Sequence, residues 1–132
     1  MRKRALALAG VVAAVGALLS ATAAQAAAPR LTAAVTQTSV WNSGYGADVV
    51  ITNSGDAAST SWTVEFDLPS GTTVSSSWNS VRTSSGQHHR FTNASFNGTV
   101  KPGATAKFGF NASGTGLATG CTVNGNPCGG TR

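Results

Sequence analysis

The stretch SWTVEFDL, residues 61–68, runs into the turn signal Pro69-Ser70-Gly71. Trp62, Val64, Phe66 and Leu68 fall on one side of a two-residue repeat, and Thr63, Glu65 and Asp67 on the other. That is the period of a strand with one buried face; a helix would scatter the same side chains around its circumference. The alternation recurs in GADVVITN, where Ala47, Val49 and Ile51 share a side. It recurs again in AKFGFNASG, where Phe108 and Phe110 oppose Lys107 and Gly109. Turn signals separate these runs at Asn53-Ser54-Gly55, Ser84-Ser85-Gly86 and Lys101-Pro102-Gly103. No stretch sustains the i, i+3, i+4 apolar spacing of a helix, and Ser75 to Ser77 reads as extended strand. Short strands with turns at this spacing predict an all-β domain, a sandwich or a barrel, with Trp62 in its core. No linker or internal repeat interrupts it.

Residues 1–26 have a different character. Arg2, Lys3 and Arg4 precede an almost unbroken apolar run from Ala5 to Leu19, and small residues end at Ala24-Gln25-Ala26. This is the layout of a cleaved secretory signal peptide, so a secreted, extracellular domain is expected over 27–132, without membrane contact after cleavage. Without that segment, six cationic residues face four acidic ones, a net charge of +2. The cations are scattered singly, so the basic balance does not point to nucleic acid. About 106 residues suffice for one core. Cys121 and Cys128, in an exported chain, are expected to form a disulfide that staples the C-terminal end; a loop this short contributes roughly 2–3 kcal/mol in the chain-entropy model.

Three aromatics stand outside the alternating runs. Trp41 precedes Asn42-Ser43-Gly44, Trp78 lies in SSSWNS, and Phe96 lies in ASFNGT. Each is followed by Asn in a turn-like or polar context, where a large ring lacks an obvious packing partner. Any one of them could cover the core from a loop. Three in the same context favour a shared exposed role, a platform for a flat ligand. Sugar rings fit such a platform, because an aromatic plane desolvates their apolar C–H face while edge hydroxyls bond polar neighbours.

At these residues the chain resembles the family 2 carbohydrate-binding modules, bacterial cellulose- and chitin-binding domains. The resemblance rests on VWNSGYGADVVITNSG, SWTVEFDLPSGTTVSSSWN, NASFNGTVKPGATAKFGF and CTVNGNPC, in order over nearly all of 27–132. It implies an antiparallel β-sandwich, Ig-like or jelly-roll-like, of about nine strands. It implies a stacking face made of Trp41, Trp78 and Phe96, with Asp48, Ser76 and Lys107 as flanking hydrogen-bonders, and a buried Trp62. Two departures stand out. Phe96 occupies a position where the family usually has Trp, and the first strand, APRLTAAVTQTS, lacks a cysteine. With both cysteines at the C-terminus, and with HHRFTN, the chain is most similar to the variant attached to chitinases and chitin-active oxidases.

Catalytic chemistry finds little support. Glu65 and Asp67, two apart on one strand, project to one side roughly 7 Å apart, but no apolar pocket accompanies them to raise one pKa. They are expected on a solvated face. His88 and His89 are adjacent on a strand and point to opposite faces, so they cannot chelate one metal together. Asn93, Asn97 and Asn111 head glycosylation-type triplets that read as turn chemistry. The expectation is therefore a monomeric, non-catalytic module without metal or cofactor, binding insoluble β-1,4-linked polysaccharide, chitin or cellulose. Two alternatives are a targeting module of a chitinase or cellulase whose catalytic domain lies outside this chain, and a secreted Ig-like protein-binding domain.

Overall fold

A computed structural model describes residues 26–129. The expected signal peptide lies outside them except for Ala26. Nine strands follow in order: β1 Leu31–Trp41, β2 Gly44–Asn53, β3 Thr63–Asp67, β4 Thr73–Trp78, β5 Ser80–Ser85, β6 His88–Asn93, β7 Thr105–Ser113, β8 Thr119–Val123 and β9 Asn126–Pro127. They form two antiparallel sheets, β1-β2-β7-β4 and β5-β6-β3-β8-β9. The alternation predicted an all-β sandwich or barrel; the observed fold is the sandwich, with the nine antiparallel strands that the family resemblance implied.

The alternating residues become the core. From the four-stranded sheet, Tyr45, Ala47, Val49, Ile51, Phe108, Phe110 and Ala112 turn inward; Val64, Phe66, Phe91 and Val123 meet them from the other sheet. Aromatic rings run through the interior as a chain of contacts. Trp62 stacks on Phe108 at 5.2 Å between centroids, Phe108 on Phe91 at 4.9 Å, and Phe91 on Phe66 at 5.4 Å. Phe66 then meets Phe110 at 5.3 Å, and Phe110 meets Tyr45 edge-on at 6.2 Å. Rings at these separations add pairwise attraction to the area they bury.

Polar side chains close the ends. Asn53, fully buried, accepts from the backbone N–H groups of Arg30 and Gly55 and donates to the carbonyls of Ala57 and Val100. All four amide valences are used, which is what keeps a buried Asn from costing stability. Cys121 and Cys128 are bonded to each other, as expected. The Cys128 carbonyl also accepts from Ala33 N–H at 2.9 Å, so the stapled end reaches β1 in the opposite sheet. Reduction should lower thermal stability yet leave the sandwich folded, because Cys128 is one core residue among many and the aromatic chain between the sheets contains neither cysteine. The check is mass spectrometry for two missing hydrogens, followed by melting with and without reductant; free thiols or unfolding on reduction alone would contradict it.

Candidate functional site

The outward face of the four-stranded sheet can be built from register alone. Gly44, Gly46 and Asp48 of β2 alternate with the inward Tyr45 and Ala47, so they face out. Their partners on β7 are Ser113, Asn111 and Gly109. Continuing across each row, Trp41 pairs with Gly44, Ser39 with Gly46 and Thr36 with Asp48 on one flank. Thr73 pairs with Ser113, Ser76 with Asn111 and Trp78 with Gly109 on the other. Trp41 and Trp78 therefore stand at opposite corners of one face. Three strand spacings and two rows separate them, about 20 Å on ideal sheet dimensions.

Neither tryptophan would face out if its strand were regular. In β1, Ala33, Val35 and Gln37 pair with inward positions of β2, and plain alternation would carry Trp41 inward with them. The register shifts between Gln37 and Ser39, leaving Thr38 as an extra residue, and everything after it changes face. In β4, Val74 points inward opposite Ala112, and a second shift between Val74 and Ser76 leaves Ser75 extra and turns Trp78 outward. Both rings end strands; neither sits within a turn, as the neighbouring turn signals had indicated for Trp41.

Glycines beneath the rings keep them low. A Cβ on Gly109 would lie 2.2 Å from the Trp78 ring, so the indole rests directly on the β7 backbone. A Cβ on Gly44 would meet the Ala112 carbonyl oxygen at 2.1 Å and Trp41 Nε1 at 3.1 Å. An aromatic laid over a cross-strand glycine covers backbone that the glycine leaves bare. With the sheet behind them, Trp41 and Trp78 still expose 44% and 42% of their surface.

Phe96 belongs to the loop after β6 and is 71% exposed. Its neighbour Asn97 donates from Nδ2 to the carbonyl of Asn79, the residue directly after Trp78, at 2.8 Å. This bond ties the loop residue that follows Phe96 to the residue that follows Trp78. Of the flanking polar residues, Asp48, Ser76 and Lys107 all occupy the same outward face. Lys107 Nζ lies 3.8 Å from Asp48 Oδ2, an exposed pair of small energetic weight. Asn111 Nδ2 donates to Ser76 Oγ at 3.2 Å. Asn111, Ser39 and Thr36 extend the polar set beyond the residues picked from sequence. Asn111 was accessible to the same reasoning, two residues beyond Gly109 on the side opposite Phe108 and Phe110.

The other sheet holds the remaining candidates for chemistry. His88 lies outward on β6, with Nε2 2.8 Å from Glu65 Oε1 and Nδ1 2.8 Å from Asp67 Oδ1. His89 points inward and is buried, its Nδ1 2.8 Å from Ser84 Oγ. The two histidines thus take opposite faces, as expected, and among the described residues no group of three or more His, Cys, Asp or Glu is arranged to hold a metal ion. Hydrogen bonds to Glu65 and then to Asp67 raise the His88 pKa above 6.5. Burial lowers that of His89, with the Arg82 charge adding to the effect. The contribution of His88 to stability is full below pH 6.5 and is lost as pH rises through its raised folded value. That of His89 is full above pH 6.5 and is lost as pH falls through its depressed value. An NMR titration should resolve the two imidazoles on either side of 6.5; a reversed order would refute the assignment.

Comparison with known proteins bears on the whole domain. A family model described as a cellulose binding domain, that of the family 2 carbohydrate-binding modules, matches residues 31–128, from the start of β1 to the second cysteine. The chain belongs to this family. This family 2 module is 51% identical over 112 residues to Endoglucanase E-5 of Thermobifida fusca, across 85% of this chain and 24% of that protein. It is 40% identical over 109 residues to a cellulose/chitin binding protein of Mycobacterium bovis, covering 80% of this chain and 75% of the relative. Among solved structures, the module superposes on the chitin-binding domain of Chi18aC from Streptomyces coelicolor with a TM-score of 0.67 at 44% identity, over 78% of this chain and 98% of that one.

Proposed function

We propose that this chain is a secreted, monomeric, non-catalytic module that holds to insoluble β-1,4-linked polysaccharide, chitin or cellulose, through Trp41, Trp78 and Phe96. Asp48, Ser76 and Lys107 bond sugar hydroxyls at the margins. The observation that carries this reading is the pair of tryptophans turned out by bulges and laid over glycines on one sheet face. A core requirement would not expose them, and an enzyme pocket would not be flat. Secretion is supported by the signal-like segment 1–26. The names of the relatives, a cellulose/chitin binding protein and a chitin-binding domain, support the ligand class. The placement of both cysteines near the C-terminus favours chitin.

Each ring that lays one face on sugar removes roughly 70–100 Å² from water, worth about 2 kcal/mol at 25 cal/mol/Å². Three such contacts, less the cost of association, fit micromolar-class affinity. Mixing the protein with chitin and cellulose powders should deplete it from solution, and moderate salt should barely change the depletion because stacking is nonionic. Protein left in solution over both powders would end this reading.

A second reading has its own support: this chain spans only 24% of Endoglucanase E-5, so the same module can serve as the targeting part of a larger enzyme. The module itself should release no soluble sugar from chitin, cellulose or xylan, with or without copper and reductant. Glu65 and Asp67 lie on the sheet opposite the tryptophans, both engaged by His88. Sugar release that tracks the purified protein would overturn the non-catalytic assignment.

A further inference from the structure

The three aromatics are not held alike. Trp41 and Trp78 rest on the sheet over glycines, whereas Phe96 is largely exposed within a loop, so its place depends on what fixes that loop. Asn97 is engaged in three directions. Its Oδ1 accepts from Ala94 N–H at 2.8 Å, closing the turn that contains Phe96. Its Nδ2 donates to the Asn79 carbonyl at 2.8 Å, and its own carbonyl accepts from Trp62 Nε1–H, also at 2.8 Å. Asn79, at the receiving end, has φ of 60°, a left-handed conformation that Asn tolerates better than most residues, where the chain leaves β4 for β5. Behind the loop there is no slack: a Cβ on Gly98 would lie 2.6 Å from Asn93 Nδ2 and 2.8 Å from the Thr60 carbonyl.

We infer that Asn97 is a positioning residue for polysaccharide binding, its side-chain amide bracing Phe96 against the Trp78 corner so that the two rings meet the polymer together. The inference rests on the platform reading and adds a residue that touches no sugar. It requires an amide, because one end must accept and the other must donate. A carboxylate could still accept from Ala94 N–H, but it would turn a second acceptor toward the Asn79 carbonyl.

The test is Asn97→Asp, measured by binding to chitin powder from pH 7 down to pH 3 beside the wild type and Phe96→Ala. At pH 7, Asn97→Asp should bind as weakly as Phe96→Ala, about tenfold below wild type for the area of one phenyl face. Acidification should restore it, since a protonated carboxyl can donate to the Asn79 carbonyl, while the ratio of Phe96→Ala to wild type stays constant. Combining both substitutions should weaken binding no further than Phe96→Ala alone. Wild-type binding by Asn97→Asp at pH 7, or additive losses in the double variant, would overturn the brace.

If Phe96→Ala binds like wild type, the platform reading fails at that ring, and the brace is judged from backbone order. Loss of 15N order at Ala94 and Phe96 in Asn97→Asp then supports it, and unchanged order refutes it. If Asn97→Asp does not fold, the wild-type side-chain amide decides: protection of the Asn97 Nδ2 protons from exchange supports the brace, and free exchange refutes it.

Discussion

Trp62→Ala should remove about 3–5 kcal/mol of folding stability, the range for truncating a large buried aromatic. Trp62 is fully buried, stacked on Phe108 at 5.2 Å, and its Nε1–H is bonded to the Asn97 carbonyl. Truncation empties the end of the aromatic chain and leaves that carbonyl without its donor, so two costs add. Against a typical total of about 5–15 kcal/mol, the loss is a substantial fraction of the folding stability. Trp62→Phe helps to apportion the two costs, because it keeps a six-membered ring to stack on Phe108 while discarding the Nε1–H donor with the smaller part of the indole. Chemical denaturation of the three proteins would measure this. A change below about 1 kcal/mol in Trp62→Ala would mean that the site collapses around the gap, and the weight given to Trp62 in the core would be wrong.

Trp41→Ala should do the reverse. Its expected effect is a loss of roughly 1–3 kcal/mol in binding to insoluble chitin or cellulose, from the ring face no longer laid on sugar. Folding should lose only about 1 kcal/mol, because the ring also shelters Gly44 and is a little more than half covered. Phe96→Trp should move affinity the other way by enlarging the contact. Depletion isotherms on the powders, read beside melting curves, distinguish the roles. If Trp41→Ala unfolds the domain while the folded remainder binds normally, Trp41 is structural and the platform is wrong.

Trp62 and Trp41 also mark how far the sequence could be read. Trp62 and the inward residues of β2, β3 and β7 followed from alternation, because those strands are regular over the stretches that carry the core. Their burial gives a periodic signal, and the turns between them carry Gly, Pro and Asn at recognisable places. Trp41 and Trp78 defeat the same rule. Counted in twos from Ala33 or from Val74 they would point inward; local context and family resemblance, and not periodicity, singled them out. The support beneath them was less legible still. Gly109 lies 31 residues from Trp78, and Asn97 lies 35 from Trp62 and 18 from Asn79, so no local window contains both partners. The Asn after each aromatic was visible, but only the folded chain shows two of them meeting, with Asn97 donating to Asn79.

The extra residues Thr38 and Ser75 make the exposed rings a matter of chain length as much as of side-chain chemistry. Deleting one residue between Gln37 and Ser39 would leave every nearby side chain chemically unchanged and bring Trp41 round to the inner side. A deletion between Val74 and Ser76 would do the same to Trp78. Single-residue insertions and deletions at these two points therefore act on the proposed ligand surface more drastically than most substitutions on it. Aligning other chains with this one by identity alone, with gaps placed for convenience, can credit a sequence with a platform that its own register turns inside out.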